Sequence, residues 1–137
     1  MSQMSSTAAV STQEVIEAFY AAALRGDLAA VSRVLHPDVV IQEPASLPYG
    51  GEHAGREAAL ALLGMLFAGV DRDAVVIEHL VCGDRAAAAM LSVPFRGAAD
   101  GSTAIMLVCE TFEVSDGLIT RIRPYYFDTA ALLAAMP

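Results

Sequence analysis

The hydrophobic positions along the chain repeat first with the period of a helix and later with that of a strand. Apolar residues recur every three or four positions in 15–24 and in 56–69, and a shorter stretch of the same kind covers 28–35. From residue 74 onward four runs are typical of β-strands: 74–82, 86–95, 103–114 and 118–127. Three helices followed by an antiparallel meander predict an α+β fold in which a curved sheet closes over the helices.

Individual residues predict where several of these elements begin and end. Ser11 and Glu14 have the spacing of a capping box, which predicts the start of the first helix, and Gly26 predicts its end. Residues 39–43 predict one more strand, and the segment 44–55, with two prolines and three glycines, predicts a loop. A sheet that curves around helices of this size encloses a cone-shaped cavity, whose mouth is a natural site for a small molecule.

Three acidic residues are predicted to face this cavity, because strand residues alternate between the two faces of a sheet. Glu110 falls among apolar positions of its strand, Glu43 ends the 39–43 strand, and Asp128 has the same parity as Tyr126. A carboxyl group on an apolar wall has a raised pKa, which suits a general acid or base near neutral pH. The alternatives are an arginine partner for Glu110, a loop-capping role for Glu43 and a helix N-cap role for Asp128.

Histidines and aromatic residues supply the candidates for contacts with a ligand. A phenol in an apolar pocket can donate a hydrogen bond to a developing oxyanion. The predicted ligand contacts are Phe19, Tyr49, His53, His79, Met106 and Tyr126. Ordinary packing in the core or in the loop is the alternative role for the two histidines and for Tyr49.

The composition limits what the chain can do. With 137 residues, of which 55% are hydrophobic, residues 12–137 are expected to form a single domain after a disordered tail at 1–11. That tail has no basic segment typical of a signal peptide, and no apolar run is long enough to span a bilayer. Sixteen acidic residues against eight arginines give a net charge of −8, which disfavours nucleic acids and anionic membranes as partners. A cytoplasmic protein is therefore expected.

The sequence lacks the motifs that are typical of several classes of enzyme. The chain has no nucleophile elbow, phosphate-binding loop, dinucleotide-binding glycine motif or zinc-protease motif, and it has no lysine for a Schiff base. Cys82 and Cys109 lie in apolar runs without other metal-ligating residues at a suitable spacing, so buried free thiols are expected, with a disulfide as the alternative. No cofactor and no metal site are predicted.

Four segments of the chain resemble the NTF2-like superfamily, and within it most closely the SnoaL-like polyketide cyclases. They contain VIEAFY and LRGDL in 15–28, LHPDVVIQEP in 35–44, GEHAGREA in 51–58, and DGLI and YFD in 116–128. The resemblance covers about residues 12–135 and implies the NTF2-like cone, in which three N-terminal helices pack in a curved antiparallel or mixed sheet. The superfamily contains both enzymes and non-enzymes.

The resemblance also implies roles for the three carboxyl groups. Glu43 falls where the ketosteroid isomerases, a more distant branch, have a proton-shuttling aspartate, and Glu110 falls where they have the protonated aspartate of the oxyanion hole. Asp128 resembles the acid/base aspartate of SnoaL-type cyclases. Two positions depart from these patterns. Phe19 replaces the oxyanion-hole tyrosine of the isomerases, and Val108 replaces an arginine that limonene epoxide hydrolases need.

These observations predict an acid/base enzyme without a cofactor, a cyclase or isomerase that acts on an apolar carbonyl compound of polyketide, terpenoid or steroid type. Glu43 or Asp128 is the expected base, and Glu110 with Tyr49 or Tyr126 is expected to stabilise the oxyanion. Two alternatives remain open: epoxide opening in the same pocket, and a ligand-binding or assembly module without turnover.

The expected partners are an apolar small molecule and a second copy of the chain. The strand predicted at 86–95 is apolar on both faces, with the run 86–89 consisting of alanine alone. A homodimer would bury the outer face of the sheet.

Overall fold

Within residues 10–96 and 101–136, which the computed structural model describes, the chain forms four helices and one sheet. The helices are α1 (Thr12–Arg25), α2 (Leu28–Val34), α3 (Arg56–Ala68) and α4 (Thr129–Ala135), and Arg72–Ala74 forms a 3₁₀ turn. No helix in this part of the chain has the length and apolar character needed to cross a membrane. The tail predicted at 1–11 lies for the most part outside the described residues.

The strands are β1 (Leu35–Glu43), β2 (Gly51–Ala54), β3 (Val76–Cys82), β4 (Ala86–Phe95), β5 (Ala104–Ser115) and β6 (Leu118–Tyr126). They form one curved, unclosed sheet in the order β2-β1-β6-β5-β4-β3. β1 runs parallel to β6, and the other neighbouring strands are antiparallel. The α+β fold with a mixed sheet is therefore confirmed, including the four strands predicted after residue 74.

The region between residues 35 and 55 differs from its prediction in two ways. β1 begins at Leu35 rather than at residue 39, and β2 lies inside the segment predicted to be a loop. β2 pairs with β1, with Ala54 opposite Val40 and Gly51 opposite Glu43. The pairing with β1 overrides the weak strand preference of this glycine-containing segment, because strand formation depends on neighbours as much as on local sequence.

Helix α1 owes its position to its N-terminal cap and to its apolar stripe. The Ser11 hydroxyl accepts a hydrogen bond from the Glu14 backbone N–H at 3.1 Å, and the Glu14 carboxylate accepts one from the Ser11 backbone N–H at 3.0 Å. The predicted capping box is therefore confirmed. The rings of Phe19 and Tyr20 pack edge-on against Phe112 of β5, with centroid distances of 5.5 and 5.8 Å.

β3 is an edge strand, and an irregularity in its pairing changes which side chains face the core. Its register with β4 shifts between Ile77 and His79, so residues on the two sides of the shift alternate out of phase. Leu80 packs against the core, whereas His79 is exposed. The prediction that His79 faces the cavity is therefore wrong, because parity does not continue through a bulge.

The two cysteines are free, as predicted, and they do not form a disulfide. Both thiols are half-buried rather than fully buried. Cys82 lies at the end of the edge strand β3, and Cys109 lies opposite Met90 and Tyr125 in the middle of the sheet.

Ser11→Ala is expected to lower the free energy of unfolding by about 1 kcal/mol, because a backbone N–H at the start of α1 loses its acceptor. Ser11→Asp is the matched control, since an aspartate side chain can accept the same hydrogen bond and should leave the stability nearly unchanged. Urea denaturation followed by circular dichroism measures both variants. Equal stability of Ser11→Ala and the wild type would show that the capping box does not stabilise α1.

Candidate active site

A cavity of about 100 Å³ lies between α1, α3 and the inner face of the sheet. Its polar lining consists of two carboxyl groups, two phenols and one guanidinium, which belong to Glu43, Glu110, Tyr20, Tyr126 and Arg72. The rest of the wall is apolar and includes Phe19, Leu63, Phe67, Val93, Phe95 and Val108. The space is large enough for several water molecules or a small organic group.

Glu43 at the end of β1 meets Tyr126 at the end of β6, because the two strands are parallel neighbours. Their register sets Ile41 opposite Ile122, so the C-terminal ends of both strands lie at the same edge of the sheet. Tyr126 Oη donates a hydrogen bond to Glu43 Oε1 at 2.9 Å, and Tyr49 Oη lies 3.2 Å from Tyr126 Oη. Glu43 is only 5% exposed. A hydrogen-bonded chain therefore runs from the Tyr49 phenol through the Tyr126 phenol to the Glu43 carboxyl group.

The loop that carries Tyr49 is held by hydrogen bonds and by one buried side chain. His53 Nε2 donates to the Tyr49 carbonyl oxygen at 2.8 Å, and Leu47 is buried in the core. The Leu47 backbone N–H donates to the Pro44 carbonyl at 3.1 Å, and the Gly50 N–H donates to the Leu47 carbonyl at 2.9 Å. His53 thus acts on the loop that positions Tyr49 and does not itself line the cavity.

Glu110 on β5 is paired with a phenol from α1. Tyr20 Oη donates a hydrogen bond to Glu110 Oε1. Tyr20 lies on the buried stripe of α1, one turn after Ile16, and this stripe packs against the sheet. Glu110 is half-buried and lines the same cavity as Glu43. Its second carboxyl oxygen, Oε2, takes no part in the bond to Tyr20.

Burial raises the pKa of both carboxyl groups. It raises the pKa of Glu43 to about 7, with the hydrogen bond from Tyr126 acting in the opposite direction and Glu110 adding to the rise. Burial also raises the pKa of Glu110, and the hydrogen bond from Tyr20 lowers it. The pKa values of Tyr20, Tyr49 and Tyr126 are raised mainly by burial, with the carboxyl groups adding to the effect. The phenols therefore stay protonated at neutral pH, while Glu43 exchanges its proton near neutrality.

Among the described residues, neither carboxyl group forms an ion pair with an arginine, and neither belongs to a set of metal ligands. The ion pairs within residues 10–96 and 101–136 lie at the surface and are Arg25–Asp27, Arg96–Asp71 and Arg121–Glu113. The arginine partner considered for Glu110 is thus absent from the described residues, and a phenol takes its place. In the same part of the chain, no three His, Cys, Asp or Glu side chains are grouped so that they could hold a metal ion.

Four of the predicted site residues line the cavity: Phe19, Glu43, Glu110 and Tyr126. Two more, Tyr49 and His53, support it through the hydrogen bonds described above. The structure therefore brings most of the predicted site together, with the carboxyl groups of β1 and β5 at its polar end.

Two predicted site residues besides His79 lie outside the cavity. Met106 is buried in the core without lining the cavity. Asp128 is exposed, and its side chain accepts a hydrogen bond from the Ala131 backbone N–H at 3.0 Å. Asp128 is thus the N-cap of α4, and parity no longer applies to it because β6 ends at Tyr126.

Two cavity residues, Tyr20 and Arg72, are not among the predicted site residues. Tyr20 carried a signal, because its spacing from Ile16 and Ala23 sets it on the buried stripe of α1. A buried phenol needs a hydrogen-bond partner, which predicts a polar group such as a carboxyl on the facing sheet. Arg72 carried no comparable signal, since it lies in a short turn between two elements.

Comparisons with known proteins agree with this fold. The sequence profile of the SnoaL-like domain matches residues 16–122, which is most of the chain. The chain therefore belongs to the SnoaL-like domain family, within the NTF2-like superfamily. A search of curated protein sequences gave no significant match.

Solved structures with the same fold come from several sources. Bal32a, from a soil-derived mobile gene cassette, is 20% identical, with 91% of this chain and 95% of Bal32a covered and a TM-score of 0.80. An NTF2-like protein from Burkholderia xenovorans LB400 is 24% identical, with the same shares covered and a TM-score of 0.77. A protein from Jannaschia sp. CCS1 assigned as a SnoaL-like polyketide cyclase is 17% identical, with 98% and 97% covered and a TM-score of 0.76. At these identities the likeness establishes the fold.

Glu43→Gln is expected to change the pH dependence of stability. In the folded protein the pKa of Glu43 is about 7, above its ordinary value of 4.5, so the unfolded chain loses this proton first as the pH rises. The free energy of unfolding should therefore fall between these two pKa values, by an amount on the order of 3 kcal/mol from Glu43 alone. Urea denaturation at about pH 5 and about pH 8 measures this fall, which should be smaller in Glu43→Gln.

The matched control is Glu57→Gln, which removes an exposed carboxyl group from α3. It should retain the pH dependence of the wild type. If Glu43→Gln and the wild type lose the same stability between the two pH values, the Glu43 carboxyl does not titrate near neutrality in the folded protein.

Proposed function

We propose that this chain is an acid/base enzyme, a cyclase or isomerase that acts on an apolar carbonyl compound without a cofactor. The observation that carries the proposal is a pair of carboxyl groups in one apolar cavity, Glu43 bonded to Tyr126 and Glu110 bonded to Tyr20. Two carboxyl groups with raised pKa can divide the roles of base and hydrogen-bond donor. The assignment of one structure of this fold as a polyketide cyclase is consistent with this class.

Glu43 is the base in this proposal. With a pKa of about 7, a substantial fraction of its carboxyl groups is ionised at neutral pH, and the carboxylate is basic enough to take a proton from a carbon beside a carbonyl. Tyr126 donates to the same carboxyl group and orients it, and Tyr49 supports Tyr126 in turn. Asp128, the other candidate base, is exposed at the start of α4, where its side chain caps the helix outside the cavity.

Glu110 stabilises the charge that develops on the carbonyl oxygen. Its raised pKa favours the protonated form, whose O–H can donate to an oxyanion. Because Tyr20 donates to Oε1, the other oxygen is available to carry the proton toward the substrate. Phe19 replaces the oxyanion-hole tyrosine of the ketosteroid isomerases, and the neighbouring Tyr20 supplies a phenol to this site instead.

Protons and electrons balance in both reactions, the isomerisation and the ring closure. Glu43 takes the proton, and the electron pair of the broken C–H bond forms the enolate. In an isomerisation Glu43 returns the proton to the far carbon of the conjugated system, and the double bond shifts. In a ring closure the enolate carbon bonds to a second carbonyl carbon of the same molecule, and the resulting alkoxide takes the proton back from Glu43.

The site bears on the two alternatives as well. A binding module whose carboxyl groups are neutralised by arginines is less favoured, because Glu43 and Glu110 bond to phenols beside open space. In epoxide opening a protonated Glu110 would polarise the epoxide oxygen, but Val108 occupies the position that the resemblance assigns to an arginine. A diol or ether product would favour this alternative over isomerisation.

Deuterium exchange into 2-tetralone, an apolar ketone with acidic C–H groups, tests the acid/base step. The wild type is expected to accelerate exchange in heavy water at neutral pH, as measured by mass spectrometry. Glu43→Gln should reduce the accelerated rate about 100-fold or more, because the general base is lost. Glu110→Leu should reduce it about 100-fold, because the oxyanion loses its donor.

The matched control is Glu113→Gln, which removes a largely exposed carboxyl group from the same strand as Glu110. It should exchange 2-tetralone at the wild-type rate, and circular dichroism verifies that each variant is folded. Exchange that the wild type does not accelerate would contradict the proposal. Loss of the activity in Asp128→Asn but not in Glu43→Gln would show that Asp128 is the base and that Glu43 is not.

We also propose that two copies of the chain pair through the outer face of the sheet. Large apolar side chains are exposed there on β5 and directly after β6, with Ile105 at 68%, Leu107 at 46% and Phe127 at 81% exposure. The Phe127 backbone N–H donates to the Leu107 carbonyl at 2.9 Å, which keeps these side chains in one patch. A second copy would remove this patch from water.

Leu107→Glu should therefore convert a dimer into a monomer, because a charged group in the interface opposes burial. Light scattering after size exclusion at micromolar concentration measures the mass of both proteins. Ala29→Glu is the control, since it adds the same charge at an exposed position of α2. A monomeric wild type would contradict the dimer.

A further inference from the structure

Arg72 is the one basic side chain among the described residues that line the cavity. It begins the 3₁₀ turn between α3 and β3 and is half-buried. Within residues 10–96 and 101–136, its guanidinium takes part in none of the ion pairs. Its acidic neighbour Asp71 instead lies 3.8 Å from Arg96. The cavity thus holds a cation that no carboxylate of the described chain neutralises.

The guanidinium has a defined position at the C-terminal end of α1. Gly26 follows the last residue of α1, with φ at 71°, and a Cβ atom there would lie only 2.1 Å from Arg72 Nη1. The C-terminal end of a helix carries partial negative charge, which favours a cation at this place. Any side chain larger than hydrogen at Gly26 would displace the guanidinium.

Glu110 and Arg72 lie near different parts of α1. Tyr20 contacts Glu110 in the middle of the helix, and Gly26 lies beside Arg72 at its end. Tyr20 and Gly26 are six residues apart, which corresponds to about 9 Å of backbone along the helix axis. Apart from Glu43 and Tyr126, the remaining wall is apolar. The cavity therefore has an acid/base end and a cationic end.

We propose that Arg72 binds the carboxylate of the substrate, which is then an apolar keto acid. A guanidinium binds a carboxylate through two parallel charge-assisted hydrogen bonds, which are stronger than those to a neutral ligand. The net charge of −8 repels anions from the protein as a whole, so a local cation is needed to admit one. The assignment of this anion to a substrate rests on the proposed function.

Three related naphthalenes test this proposal by binding alone. In 6-hydroxy-2-naphthoate the phenol resembles the enolate and fits the Glu110 end, while the carboxylate fits Arg72. Its methyl ester and 2-naphthol lack the negative charge. Isothermal titration calorimetry with the wild type should give about tenfold tighter binding of the naphthoate than of the other two, because a hydrogen bond to a charged group contributes at least this much.

Arg72→Met should abolish this preference while the affinity for 2-naphthol stays at the wild-type level. Arg72→Lys keeps the charge and should retain part of the preference. Arg33→Met removes an exposed positive charge on α2 and should retain all of it, which controls for net charge. Equal affinity of the wild type for the acid and its ester would overturn the proposal, whether or not the variants fold. Weaker binding of all three compounds to Arg72→Met would assign Arg72 a structural role instead.

The outcome is distinguishable from that of the proposed function. Arg72-dependent binding of the naphthoate without exchange of 2-tetralone protons would support the anion site and contradict the enzyme. Exchange of 2-tetralone protons without any preference for the naphthoate would support the enzyme and overturn the anion site.

Discussion

Two carboxyl groups in one mostly apolar cavity, neither of which forms an ion pair within the described residues, determine the proton-binding properties of this molecule. An ionised carboxylate is costly to bury, so the surroundings favour the protonated form and raise the pKa of Glu43 and of Glu110. The phenols of Tyr126 and Tyr20 satisfy one oxygen of each carboxyl group. Glu110 adds a smaller contribution to the raised pKa of Glu43. Burial, rather than any ion pair, therefore brings the ionisation of Glu43 into the range of neutral pH.

The fold creates this situation through two long-range contacts. The parallel pairing of β1 with β6 carries Glu43 to Tyr126, and the packing of α1 on the sheet carries Tyr20 to Glu110. The same packing buries Phe19 against Phe112, so apolar contacts that stabilise the fold also form part of the wall around the carboxyl groups. Stability and the properties of the site thus depend on the same residues.

Much of the fold could be predicted from local sequence, because helix caps, periodicity and turn residues act over a few positions. Strand parity identified Glu43 and Glu110, since both lie in uninterrupted parts of β1 and β5. Parity was wrong for His79, which follows a bulge, and for Asp128, which follows the end of β6. Tyr20 and Arg72 could not be assigned in this way, because their roles depend on which distant residues α1 faces.

The most direct test of this account is the titration of the Glu43 carboxyl group itself. Isotope-edited NMR of the glutamate side-chain carboxyl carbons, with Glu43→Gln to assign the signal, follows its ionisation with pH. We expect a midpoint near the pKa of about 7 given by burial, moving to lower pH in a variant that lacks the Glu110 carboxyl. A Glu43 signal that titrates near the ordinary value of 4.5 would contradict the account, because the carboxyl group would then be ionised and weakly basic at neutral pH.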